Sequence, residues 1–337
     1  MESGNLTSST KKDSTLSNSI SRYLENVSLS RSAHTFRTYK NALNAFILCI
    51  IEHGLNPTTL PIKEFDETPV AWFATYLKYH SPATEALYLA ALKNFYEFLA
   101  AEKLADINLP RVKLLIRQRS RKPGQRLPQF PKDYIEVLIE KINALPSDTP
   151  LEEIERLRFL RDRAFLLTLA DTGLRVHEAC NLRRGDIDWN EGKAVIIGKG
   201  NREAVVRFST RAIEAIKEYL SKRAFLDSNS GKPLSSLPIF ARHDKGSGKK
   251  VKPITTTTGR NIVKERVKEF LDENIALEIT PHSFRHYFVT RVLTSSGNLK
   301  LAQELARHRN IAVTQRYAHL SDDELDRGYW QAIEEKS

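Results

Sequence analysis

Between Thr280 and Leu320 the chain concentrates side chains suited to phosphate: His282 and Arg285, then His308, then Tyr317 nine residues further on. Upstream, Arg175 closes a Thr172-Gly173-Leu174-Arg175 run with Glu178 three residues on, and Lys199 sits in Gly198-Lys199-Gly200-Asn201. Guanidinium forks match phosphate oxygens and keep their charge at any physiological pH. Imidazoles exchange protons near neutrality. A tyrosine hydroxyl, deprotonated beside an electrophilic phosphorus, is a nucleophile. The chemistry open to such a set is transfer at a phosphorus centre.

Taken singly, each residue has a plainer reading. Thr280-Pro281 is a capping residue followed by proline, a helix start, so His282 and Arg285 share one face of the first turn, with Phe284, Phe288 and Val292 as the buried stripe. A helix N-terminus favours anions, yet the pair alone also describes a solvent-facing His and Arg. Arg175 and Glu178 have the spacing of a surface salt bridge. Lys199 could be an exposed turn lysine, and in isolation nothing selects Tyr317 over Tyr219, Tyr287 or Tyr329.

The elements that must position these residues follow from periodicity. Residues 1–14 are Ser/Thr-rich and expected to be disordered. Four helices are expected over 15–108: one from Ser17, one over 33–53 ended by Gly54, and two opened by Thr68-Pro69 and Ser81-Pro82. Residues 109–131 hold Arg111, Lys113, Arg117, Arg119, Arg121, Lys122 and Arg126 with no acidic residue among them, punctuated by prolines. That segment reads as a solvated interdomain linker, as a strap across a phosphate backbone, or as both. From 132 to 337, helices near 132–144, 151–171, 209–225, 255–272, 281–295, 299–307 and 321–335 surround short strands at 186–189, 194–197 and 204–208.

The 337 residues carry 52 Lys+Arg against 41 Asp+Glu, a formal net charge of +11. That surplus suits a polyanionic partner, nucleic acid or an anionic membrane, or merely a basic soluble protein. The longest apolar runs, such as 45–51, are too short to span a bilayer, which removes the membrane reading. Cys49 and Cys180 show neither metal spacing nor a disulfide framework, as expected in a reducing cytoplasm.

The order of the motifs decides among these readings. With 24 residues from Arg175 to Lys199 and 23 from Arg285 to His308, the chain resembles the tyrosine recombinase (phage integrase-type, Xer-like) family. The matching stretches are Thr172–Arg175 with Glu178, Gly198–Asn201, His282-Ser283-Phe284-Arg285-His286, and His308 with Tyr317-Ala318-His319. One position departs: the family usually has a small residue before the second histidine, and here it is Arg307.

The resemblance implies a mainly α fold with a small three-stranded antiparallel sheet. It implies a two-domain DNA clamp, a four-helix, SAM-like core-binding domain followed by a catalytic domain. Tyr317 would attack a phosphodiester to give a 3′-phosphotyrosyl link. Arg175, Arg285 and His308 would hold the non-bridging oxygens, His282 would take or relay the tyrosine proton, and Lys199 would protonate the leaving 5′-oxygen. Glu178 would orient its surroundings, while His177, His286 and His319 would be structural. Arginines in place of a divalent ion imply no metal, and a bond conserved on tyrosine implies no ATP or other cofactor. The implied partner is double-stranded DNA with inverted-repeat core sites, bound by a homo-tetramer on two duplexes with the 321–335 helix docked in trans. The implied location is cytoplasmic, on the nucleoid. A type IB topoisomerase-like or hairpin-forming strand transferase, and an inactive DNA-binding relative, are the alternatives.

Overall fold

A computed structural model describes residues 14–121, 132–144, 152–198, 202–244, 250–272, 274–275, 278–308 and 310–315. The chain divides into two compact units, 1–125 and 126–337.

The first unit contains α1 (Leu16–Ser30), α2 (Ala33–Glu52), α3 (Thr68–Tyr76), α4 (Pro82–Ala101) and α5 (Leu109–Arg119). Side chains of Thr15, Ser32, Ser81 and Asn108 cap α1, α2, α4 and α5, each accepting from a backbone N–H one turn in. At α3 the expected cap is displaced. Thr68 is already helical, and Asp66 accepts from its N–H at 2.9 Å and from its hydroxyl at 2.8 Å. The core is aromatic: Phe46 lies edge-on to Phe73 at 5.3 Å between ring centres, and Phe73, Phe95 and Tyr96 are fully buried. Each such side chain contributes about 2–3 kcal/mol through burial.

The segment expected as a linker is instead helical over its first half. In α5, Val112 is fully buried, and Leu109, Leu115 and Ile116 pack against the same core. Those positions recur at helical spacing, so apolar burial overrides the prolines and the charge. Pro110 sits in the first turn, where its missing N–H costs nothing.

The second unit contains α6 (Lys132–Ala144), α7 (Glu153–Thr172), α8 (Val176–Asn181), β1 (Ile187–Asp188), β2 (Lys193–Gly198) and β3 (Arg202–Arg207). It continues with α9 (Thr210–Lys222), α10 (Ala224–Ser228), α11 (Thr256–Phe270), α12 (Pro281–Ser296), α13 (Leu299–Ala306) and α14 (Ile311–Gln315). The sheet is antiparallel in the order β1-β2-β3, with Val195 opposite Val205. Helix α7 runs through the core, with Phe165, Leu166, Leu167 and Leu169 buried. The expected 209–225 helix breaks at Arg223, whose guanidinium is wholly buried on Asp227 and on the carbonyls of Pro238 and Ile239. Tyr219 and His243 complete that cluster at 2.7 Å. Burial, reinforced by Arg161 and Arg223, pulls His243 down to about 3, so it is held neutral. The short α8, α10 and α14 have no counterpart in the expected pattern. The hairpin tip at 199–201 and the 321–335 helix lie outside the described residues.

Candidate active site

The pocket begins where α7 ends. Thr172 turns its hydroxyl back to the Thr168 carbonyl at 2.6 Å, and Gly173 takes a left-handed conformation, φ +58°, that reverses the chain. The Phe288 ring lies against Gly173 so closely that a Cβ there would collide with it. Arg175 then caps α8. Its N–H donates to Glu178 Oε2 at 2.8 Å, and its guanidinium donates to Glu178 Oε1 at 2.8 Å. Glu178 is therefore no surface partner, since its side chain is 2% exposed. Burial would raise its pKa, but the Arg175 N–H, Arg307 and the Arg175 guanidinium outweigh that and hold the carboxyl below its usual range.

Helix α12 presents the second motif differently from the expectation. His282 is exposed on the first turn, whereas Arg285 is 6% exposed and points inward. The buried stripe includes Phe284, Tyr287 and Val289, while Phe288 and Val292 are only partly covered. One arm of the Arg285 guanidinium donates to the Gly173 carbonyl at 2.5 Å, and the other donates to the Ala306 carbonyl. A single side chain thus ties the turn before Arg175 to the residue two before His308.

His308 follows Arg307, which caps α13 with φ +57°. The His308 N–H donates to the Gln303 carbonyl at 3.0 Å, and Nδ1 lies 2.8 Å from the hydroxyl of buried Thr314 on α14. That contact leaves Nε2 as the nitrogen available to a ligand. Burial, with Arg285, Arg175, His286 and Arg307 adding positive potential, lowers His308 to about 4. Burial and then Arg285, Arg175 and Arg260 lower His282 as well. Both imidazoles are neutral at pH 7, so one can accept a proton and the other can donate a hydrogen bond without a full charge. His286, 6.3 Å from His282 between ring centres, is lowered by burial to about 4.

The structure therefore brings Arg175, Glu178, Arg285 and His308 into one linked set, with His282 under the field of both arginines. Lys199 and Tyr317 lie outside the described residues. Thr314, Gln303 and Arg260 were not singled out from sequence. Thr314 could have been found from its place between His308 and Tyr317, but a lone hydroxyl carries little signal.

The basic segment of the first unit also sorts itself. It is not unopposed among the described residues. Arg121 donates to fully buried Glu85 and to the His80 carbonyl, and Lys78 joins at 3.0 Å. Arg111 faces Glu67 at 3.5 Å and Lys113 faces Glu97 at 4.0 Å. Arg117 and Arg119 are exposed, with no acidic partner among the described residues. Lys122 and Arg126 lie outside them.

Two family models match the chain: "Phage integrase family" over residues 141–324 and "Phage integrase, N-terminal SAM-like domain" over 20–103. A protein named tyrosine recombinase XerC from Thermodesulfovibrio yellowstonii is 30% identical over 304 residues, covering 89% of this chain and 91% of its own. Its namesake from Bacillus pumilus is 30% identical over 298 residues, covering 88% and 90%. Among solved structures, the XerH site-specific recombinase bound to its difH substrate aligns with a TM-score of 0.63 at 20% identity, covering 92% of this chain and 83% of that one. The Tn1549 transposon integrase in complex with transposon right end DNA aligns at 0.64 with 17% identity, covering 95% and 100%. These likenesses extend the family's fold across both units. The chain belongs to the phage integrase family and is a tyrosine recombinase, an enzyme that breaks and rejoins DNA.

Proposed function

We propose that Tyr317 attacks a DNA phosphodiester in a pocket made by Arg175, Arg285, His308 and His282, with Lys199 as general acid. The Tyr317 oxygen bonds to phosphorus, and the bond from phosphorus to the 5′-oxygen breaks. The tyrosine proton passes to His282, and the 5′-oxygen leaves with a proton from Lys199. The 3′-phosphotyrosyl link conserves the bond energy, so a second strand's 5′-hydroxyl reverses the step without ATP. Arg175, Arg285 and His308 stabilise charge on the non-bridging oxygens, the part a divalent ion plays elsewhere. The observation that carries this reading is Arg285. Its hold on the Gly173 and Ala306 carbonyls draws Arg175 and His308 around one spot.

The substrate in this reading is duplex DNA with short inverted-repeat core sites, bound through both units: 15–108 with the basic segment after it, and the catalytic unit from 132 onward. The lambda integrase dimer bound to a COC′ core site, alike in fold with a TM-score of 0.61 and 18% identity, and the difH-bound XerH illustrate such partners. Four copies act on two duplexes, with the 321–335 segment docked into a neighbour.

Covalent trapping tests the assignment. The chain is incubated in EDTA with nicked duplexes made from inverted repeats flanking its own gene, then run on a denaturing gel. A protein–DNA adduct in the wild type that is absent from Tyr317→Phe, with DNA binding retained, is expected. Strand cleavage by Tyr317→Phe would overturn the nucleophile. Binding without any wild-type adduct would point to an inactive relative, and relaxation of supercoiled DNA lacking the repeats would favour a topoisomerase-like activity. On native gels, ending the chain after Ser321 should abolish cooperative assembly; unchanged assembly would refute docking in trans.

A further inference from the structure

Arg307, the residue before His308, does more than fill space. Its backbone is left-handed, φ +57°, and its side chain is 12% exposed. The Arg307 Nη2 donates to Glu178 Oε2 at 3.1 Å and to the Gly173 carbonyl at 3.3 Å. The same carbonyl accepts from Arg285, and the other Glu178 oxygen accepts from Arg175. Its Nε is buried without a partner among the described residues.

We propose that Arg307 is a positioning residue for DNA cleavage, holding Glu178 so that Arg175 keeps donors free for phosphate. This rests on the site assigned above. A carboxylate with two free oxygens takes a guanidinium side-on through both, using up the edge that a phosphate needs. Arg307 and the Arg175 N–H share Oε2, which leaves Arg175 a single guanidinium bond, from Nη1 to Oε1. The bridge to Gly173 also ties the residue before His308 to the turn before Arg175. The two phosphate-holding groups are thereby set against each other before DNA arrives.

Arg307→Gly suits the backbone, because glycine adopts this conformation without strain. With the nicked duplexes above, single-turnover adduct formation should slow by roughly 10- to 100-fold, while the DNA concentration for half-saturation shifts by less than about twofold. Arg307→Lys should recover only part of the rate, since an ammonium does not reproduce the fork. Glu178→Gln should slow the wild type but add little to Arg307→Gly, as expected of residues acting through one contact. A wild-type rate in Arg307→Gly, a loss confined to binding, or additive effects with Glu178→Gln would each overturn the proposal. A wild type that forms no adduct would sink the site assignment and this inference together. An active wild type with an equally active Arg307→Gly would sink the inference alone.

Discussion

On α5 of the first unit, Arg117 and Arg119 stand in solvent without an acidic partner among the described residues, while in the second unit Arg285 and Arg307 are buried on carbonyls and Glu178. Both regions are basic, and both suit a phosphate. Exposed arginines attract a backbone from a distance and tolerate many arrangements of it. Buried ones have surrendered rotamer freedom during folding, so a phosphate held by Arg285, as proposed above, would be met in one geometry with little reorganisation left to do. Arg121 marks the border between these uses: close in sequence to Arg117 and Arg119, it is committed to Glu85 and serves the fold.

The sharpest way to break the contrast is Arg285→Ala. Losing the guanidinium strips the pocket of a permanent charge and leaves the Gly173 and Ala306 carbonyls without a shared donor. Adduct formation on the nicked duplexes should fall by about 10³-fold or more, and Arg285→Lys should not restore it. A loss below tenfold would mean that the pocket arginines act like the exposed ones.

Acid should separate the two units next. His243, held at about 3, and His286 and His308, each held at about 4, bind fewer protons folded than unfolded, where 6.5 is usual. Their contribution to stability is complete above pH 6.5 and declines as pH falls from there toward 4. In the first unit, burial works against ionisation of Glu85, but the Arg121 N–H, the Arg121 guanidinium and Lys78 prevail and hold it below the usual carboxylate range. Its contribution persists until more acid pH. Melting followed by hydrogen exchange at stepwise lower pH should show the second unit loosening first; simultaneous loss would contradict it.

The smallest effect belongs to Arg117→Ala combined with Arg119→Ala. Affinity for duplex DNA should weaken by about tenfold, with the slope of log affinity against log salt reduced by about 2. The cleavage rate at saturating DNA should not change. A slope unaltered by the pair would remove these residues from the DNA interface.

How much of this was readable beforehand depends on how local each signal is. The Ser81-Pro82 and Thr280-Pro281 helix starts are written in neighbouring residues, and their helices fall where periodicity placed them. Helix α5 carried a helical signal in Leu109, Val112, Leu115 and Ile116, but charge and proline masked it. The burial of Glu178 was not legible, because its second guanidinium arrives from 129 residues away. Spacing in the chain says which residues share a turn. It does not say which of them lose their water.

Two left-handed residues face this pocket, Gly173 and Arg307, with nearly the same backbone angle. At Gly173 the Phe288 ring fills the space a side chain would need, while at 307 a long side chain is accommodated. Their mutational latitude therefore differs. Position 173 admits nothing larger without displacing the Phe288 ring, which belongs to the helix that carries His282 and Arg285. Position 307 accommodates a long side chain on Glu178, so, on the role proposed for Arg307, a directed-evolution library there would be read in cleavage rate rather than in recognition of the DNA.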